Sequence, residues 1–271
     1  MDAIHSQPNE LARICPTSIV RSGLRLIHDN LRYFDPLIQC KISEDLRHQA
    51  LAELSLLCLL VKRYEAFDSM AEMTAAMNLV ARLYDSAFFQ TILYRWNDAL
   101  VSYLILTVSL EKHGYEVSQQ KSIVQEMVLR SNLCSIERTP YRLLELRHIL
   151  DIGGFAHSLP SYRDLWRRTL LAQRPNLVFL SDSDVYAITH TLFYLSDFSW
   201  TDVDCLSPQD VEYAHYAIAH LLGVYVRRKH CDLVAACTRF RRHRVRCFDG
   251  AGGGSWRDGS LRESSSSRLF A

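Results

Sequence analysis

The sequence predicts an all-α protein of about nine or ten antiparallel helices, arranged as an α/α toroid-like ring or as an irregular stack of helical hairpins. Three observations carry that expectation. Apolar residues recur at helical spacing through most of the 271-residue chain, and the alternation of a half-buried strand is nearly absent. Capping residues punctuate the periodic segments. The connections are mostly short, which makes successive helices antiparallel neighbours.

Taken in order, the first helix is expected over 18–33, opened by Pro16-Thr17-Ser18, where an early proline suits the first helical turn. Asp35-Pro36 breaks the chain, because a residue before proline avoids the α region. Helices follow over 43–64, 68–85 and 94–113, the last stopped by Gly114, and over 117–132. Thr139-Pro140 opens a helix over 140–152, which ends at Gly153-Gly154. The remaining helices are placed at 160–173, 183–197 and 208–229, with caps at Ser181-Asp182-Ser183 and Ser207-Pro208. No repeat consensus near roughly 34 or 40 residues emerges, so a compact domain or toroid is expected ahead of a regular repeat array. The predicted organisation is an N-terminal extension over 1–17, a single helical domain over 18–238 and a basic tail over 239–271.

The tail differs in kind. Eight arginines stand there against Asp249, Asp258 and Glu263, so a formal net charge of +1 hides a mildly acidic body. Its Gly, Ser and Arg content fits three readings: a basic segment that touches an anionic partner, a disordered terminus, or a frame change that replaced the natural C-terminus. Nucleic acid is not an expected partner. The longest uncharged apolar-rich run, Ala99–Leu110, has 12 residues against the roughly 20 of a spanning helix, so no membrane partner is expected. The N-terminus lacks a basic region followed by an apolar stretch, and the eight cysteines are scattered, so reduced thiols and a cytoplasmic location are expected. Cys231 and Cys237 with His230 lack the tight pairing of a zinc site, and no metal is assigned. Phosphate-binding GxxxxGK[ST], GxSxG and HExxH are absent, and the cofactor is unknown.

Two segments carry candidate chemistry. In DVYAITHTLFYLSDFS, Val185, Ile188, Leu192 and Leu195 form one apolar stripe. Tyr186, His190, Phe193, Tyr194 and Asp197 form a second, which at 100° per residue faces the other way. Such a helix suits the inner ring of a toroid, with the polar stripe lining a cavity. An imidazole titrates near neutrality and could move a proton. On a continuous helix His190 and Asp197 stand about 11 Å apart, too far for a direct hydrogen bond. In YRLLELRHILDIGGFAH, the residues Tyr141, Glu145, His148 and Asp151 share a face, at spacings that permit side-chain contact. For both segments the plain alternative is structural, a set of buried polar groups satisfied by neighbouring helices in the first and a charge network with Arg142 and Arg147 in the second. The candidate catalytic residues are thus His190, Tyr194, Asp197, His148 and Asp151. The candidate ligand-binding residues are Tyr186, Phe193, His157, Tyr162 and Glu145.

The stretches LRHILDIGGFAHSLPSYRDLWRRTLLAQRP and DSDVYAITHTLFYLSDFS resemble an uncharacterised actinobacterial family of helical proteins, a domain of unknown function. Members read much like LRHxLD…LPSYxxLYxxTLL…THTLFYLTDFG, and the likeness spans about 20 to 236. Two departures stand out: Ser199 replaces the glycine that ends the motif, and Arg-rich sequence follows Asp232-Leu233-Val234 where the family continues an apolar helix. The resemblance implies a protein of natural-product clusters or a stand-alone actinobacterial protein, with no activity to carry over. The expected function is an accessory or ligand- or peptide-binding protein of bacterial specialised metabolism. The alternatives are a tailoring enzyme with His/Asp/Tyr acid–base chemistry, and a scaffold without a pocket.

Overall fold

The computed structural model describes residues 16–38, 44–86, 99–130 and 137–240. The N-terminal extension and the basic tail therefore lie outside the described residues, apart from the positions at their inner edges. Among the described residues the fold is all-α, with eleven α-helices and no strand. They are α1 (Pro16–Asp29), α2 (Glu44–Val61), α3 (Glu65–Asp68), α4 (Ala71–Tyr84), α5 (Ala99–Lys112), α6 (Ser118–Arg130), α7 (Pro140–Gly153), α8 (Tyr162–Trp166), α9 (Asp182–Leu195), α10 (Pro208–Arg227) and α11 (Cys231–Phe240).

Local chemistry explains most boundaries. The Ser181 side chain accepts from the Asp184 N–H while Asp184 reaches back to the Ser181 N–H, a full capping box at the start of α9. Ser207 caps α10 ahead of Pro208, its side chain accepting from the Asp210 N–H. Gly114 and Gly154 end α5 and α7 at φ +84° and +67°, where a side chain would be strained. The helix expected over 160–173 is a correction. It shortens to α8 and a 3-10 turn at Leu171–Gln173, because the Thr169 hydroxyl donates to the Trp166 carbonyl and accepts from the Ala172 N–H. A β-branched hydroxyl thus offers the backbone a turn in place of the helical ladder. α11 extends the helical part past the expected end of the last helix.

Two hydrophobic cores form. Residues of α2, α4, α5 and α6 build the first, and α8 to α11 build the second. α7 belongs to both: Leu146, Ile149 and Leu150 face the first core, Leu144 the second. α5 is the axis of the first core, with Tyr103, Leu104, Leu106, Val108 and Leu110 buried around its circumference. The buried Thr107 hydroxyl is satisfied by Tyr84 and the Tyr103 carbonyl, and that of Ser109 by the Ser55 carbonyl. The principal contacts run in a line, α1 to α4, α4 to α2, α2 to α5, α5 to α7, α7 to α9, α9 to α11 and α11 to α10. That order is the irregular helical stack of the two expected arrangements.

α7 approaches α5 closely because Gly153 has no side chain. A Cβ there would lie 2.7 Å from Val108 Cγ2 and 2.6 Å from the Phe155 ring. Gly153→Ala is therefore expected to lower unfolding free energy by about 1–3 kcal/mol through overpacking, measured by denaturant unfolding.

Candidate functional site

α9 displays both stripes. Val185, Ile188, Leu192 and Leu195 are buried in the second core, while Tyr186, His190 and Phe193 on the opposite side are half-buried. His190 Nδ1 lies 2.8 Å from the Tyr186 carbonyl. A carbonyl only accepts, so the proton sits on Nδ1 and the lone pair of the neutral ring on Nε2. Burial lowers the His190 pKa below the ordinary imidazole value, against the opposing pull of the Tyr186 carbonyl and the Glu145 charge. Four rings stand around it at centroid distances of 5.6 to 6.1 Å: Phe193, Tyr186, Tyr141 from α7, and Tyr194. Phe198 stacks on Phe193 at 5.5 Å. The Tyr194 hydroxyl donates to Glu145 at 2.8 Å, and Arg142 holds the other carboxylate oxygen at 2.7 Å. Burial first, and then the Glu145 charge, keep Tyr194 well above the usual phenol range, so it stays a donor. Tyr186 donates to Asp232 of α11, and that hydrogen bond raises it to about 12.

Asp197 departs from the helical stripe. α9 ends at Leu195, and Asp197, Phe198 and Ser199 take φ of 45°, 56° and 69° in succession. Residues with side chains rarely adopt this left-handed conformation, and Ser199 stands where the resembled motif carries glycine. The turn is held from both sides. The Phe198 N–H donates to the Phe193 carbonyl at 2.7 Å and the Ser199 N–H to the Ser196 hydroxyl at 3.0 Å. It swings Asp197 away from the His190 face. Asp197 Oδ1 instead accepts from Arg63 at 2.8 Å and lies 3.2 Å from His148 Nε2. The His148 contact is an ion contact out of line with the ring N–H direction, whereas the Arg63 bond is well aligned. Burial alone would raise the Asp197 carboxyl, but His148 and Arg63 together hold it below the ordinary carboxylate range. Trp200 completes the joint, with the Arg63 guanidinium over its ring and Tyr64 edge-on to it.

A third group pins the loop after α7. The His157 Nδ1 accepts from the Leu159 N–H at 3.2 Å, which puts its proton on Nε2, and Nε2 donates to Asp151 at 2.9 Å. Arg147 lies 3.3 Å from the other Asp151 oxygen, donates to the Leu159 and Pro160 carbonyls and sits over the Tyr162 ring. Burial and then the Asp151 charge raise the Tyr162 hydroxyl.

The ten candidates thus separate into three places. Tyr186, His190, Phe193, Tyr194 and Glu145 share an aromatic face; His148 and Asp197 share the joint; Asp151, His157 and Tyr162 share the loop clamp. Glu145, His148 and Asp151, which lie on successive turns of α7, pair with three different partners and not with one another. His148 and His190 nonetheless flank the same Tyr194 ring, at 5.6 and 6.1 Å. Sequence reasoning missed Arg63, Trp200 and Phe198. Arg63 gave no signal, since it lies more than a hundred residues from its partner and in an ordinary basic pair after α2.

Two concavities lie elsewhere. One of about 500 Å³ runs along α6 beside Ser118, Lys121 and Gln125, and one of about 450 Å³ lies beside Arg32, Asp35, Asn78 and Arg82. Among the described residues no group of three His, Cys, Asp or Glu could hold a metal ion. No described helix is long and apolar enough to cross a membrane.

Against known proteins, a family model described as a domain of unknown function (DUF6895) matches residues 20–237. No curated protein and no solved structure matches.

Two outcomes follow from this geometry. In a double-mutant cycle of Arg63→Ala and Asp197→Ala, denaturant unfolding is expected to give a coupling of about 1–3 kcal/mol, since each group is largely withdrawn from water and loses its partner in the single variant. His190 and His113 both have pKa values lowered by burial, so the unfolded chain takes up protons before the native one. Stability should therefore be level above the unfolded imidazole pKa of about 6.5 and fall as the pH drops from there through the folded values. His190→Phe keeps the ring packing and should make that fall shallower, read as unfolding free energies at about pH 7.5 and about 5.5.

Proposed function

The chain belongs to this family of unknown function, and we propose that it is a ligand- or peptide-binding accessory protein whose contact surface is the aromatic face of α9 and α7. One observation carries the reading. The half-buried rings of Tyr141, Tyr186, Phe193 and Phe198 gather with the buried Tyr194 around or beside His190, whose Nδ1 is engaged and whose Nε2 holds an acceptor lone pair. Rings with a single oriented acceptor suit a planar small molecule, or a peptide aromatic, that brings its own N–H or O–H donor. The setting proposed for it is the cytoplasm of an actinobacterium, in specialised metabolism. The block Leu146–Phe198, with its resemblance to such proteins, supports that setting, and buried thiols at Cys58 and Cys237 agree with a reducing compartment.

A second reading, an acid–base tailoring enzyme, rests on the same imidazole. A ring held neutral with a lone pair on Nε2 is competent to take a proton at neutral pH. The supporting groups weigh less in its favour: Tyr194 already donates to Glu145, and Asp197, His148 and Asp151 serve the joint and the clamp.

The test is a thermal-shift screen of planar heteroaromatic N–H donors and short aromatic peptides, followed by calorimetric titration of the hits against wild type and His190→Phe. The variant keeps the ring stack and removes the acceptor, so binding is expected to weaken about tenfold. Equal affinity for both proteins would remove His190 from the site. Turnover of a hit by wild type, lost at least about a hundredfold in the variant, would move the assignment to the enzyme.

A further inference from the structure

α10 is the longest of the described helices, and one side of it packs in the second core. Ala214, Ala217, Ile218, Leu221 and Tyr225 are buried in the second core. The opposite side carries Glu212, Tyr216, Ala219, Gly223 and Val226, spaced four, three, four and three residues apart. That is the seam spacing with which one helix packs along another. Here the seam is open: Tyr216 is 62% and Val226 55% exposed, Glu212 and Ala219 are exposed, and Gly223 is partly so. Large apolar groups in register on an uncovered helix mark an interaction surface.

The charge order of the same face says what covers it. Glu212 stands on it at the N-terminal end and Arg227 flanks it at the C-terminal end, while Asp210 and Arg228 lie on the other side, paired with Arg174 and Asp182. We infer that α10 pairs antiparallel with α10 of a second copy of this chain, forming a two-fold symmetric dimer. A register centred between Ala219 and His220 sets Glu212 opposite Arg227 of the other copy, Tyr213 opposite Val226 and Tyr216 opposite Gly223, each contact made twice as two-fold symmetry requires. The middle of the seam is built for close approach. Ala219 and Gly223 keep the backbones accessible, and a Cβ on Gly223 would meet nothing nearer than the Arg227 guanidinium at 3.9 Å. Gly223 is thus a notch rimmed by a cation, and the Tyr216 ring of the other copy fills it with its face toward that cation. A partner bearing one sign of charge would satisfy one end of α10 and be repelled by the other. A second copy satisfies both.

The test is sedimentation of the full chain over a concentration series. Wild type is expected to dimerise. Glu212→Arg sets arginine against arginine at both ends of the pair and should raise the dimer dissociation constant at least about tenfold, and Arg227→Glu should do the same by setting glutamate against glutamate. The double variant Glu212→Arg/Arg227→Glu restores both pairs and should return to the wild-type constant. Both side chains are exposed, so thermal melts of the variants should match wild type at concentrations where all are monomeric. A wild-type monomer up to about 100 μM overturns the dimer, because so weak an association has no standing as a stable assembly. Single reversals that leave the dimer intact, or a double variant that does not recover, overturn the antiparallel register.

Discussion

The fold turns on one polar joint, the Asp197 carboxylate held by Arg63 just past the end of α2 and flanked by His148 from the middle of α7. Each partner lies in a different part of the chain, and the three meet where the two hydrophobic cores adjoin. Apolar packing has no direction and leaves the angle between two cores weakly fixed. A carboxylate oxygen held at 2.8 Å from a guanidinium fixes it, because both groups have given up water that nothing else nearby would replace. The left-handed run at Asp197, Phe198 and Ser199 is the conformational cost of bringing that oxygen into place.

α7 explains why one helix can hold so many titratable groups without mutual repulsion. Its polar residues fall on successive turns, and each turn meets a different neighbour: Glu145 meets the Tyr194 hydroxyl and Arg142, His148 meets Asp197, and Asp151 meets His157 and Arg147. Every carboxylate on that face is matched to a cation or a donor within hydrogen-bonding reach. The loop clamp therefore keeps the α7–α8 connection against the body, and the joint keeps α9 against α7. The consequence for chemistry is that none of these tasks takes up the His190 Nε2.

The aromatic face and the α10 seam differ in character, and they sit on different helices. Around His190 the rings lean on one another at edge and tilted angles, as aromatic groups do when their quadrupoles set the geometry. Along α10 the exposed groups are spaced for a straight helix, with the small Ala219 and Gly223 between Tyr216 and Val226. The first arrangement suits something compact and planar, the second something long and helical, which is why the two surfaces carry separate assignments.

The sequence by itself determined the all-α class, most helix positions and the two-sided character of α9. Those features depend on periodicity and capping within a few residues, as with the Ser181–Asp184 box or the glycine after α7. It also singled out His148, His157 and His190 as candidates. Only the tertiary structure decided which of them stand together. The wheel drawn through Asp197 assumed a helix that ends two residues earlier, because side-chain and backbone groups of Ser196 and Phe193 capture the next N–H groups and the turn is then pinned by Arg63. Whether a polar side chain serves a ligand or a neighbour depends on a partner far along the chain, and periodicity carries no information about partners at that distance.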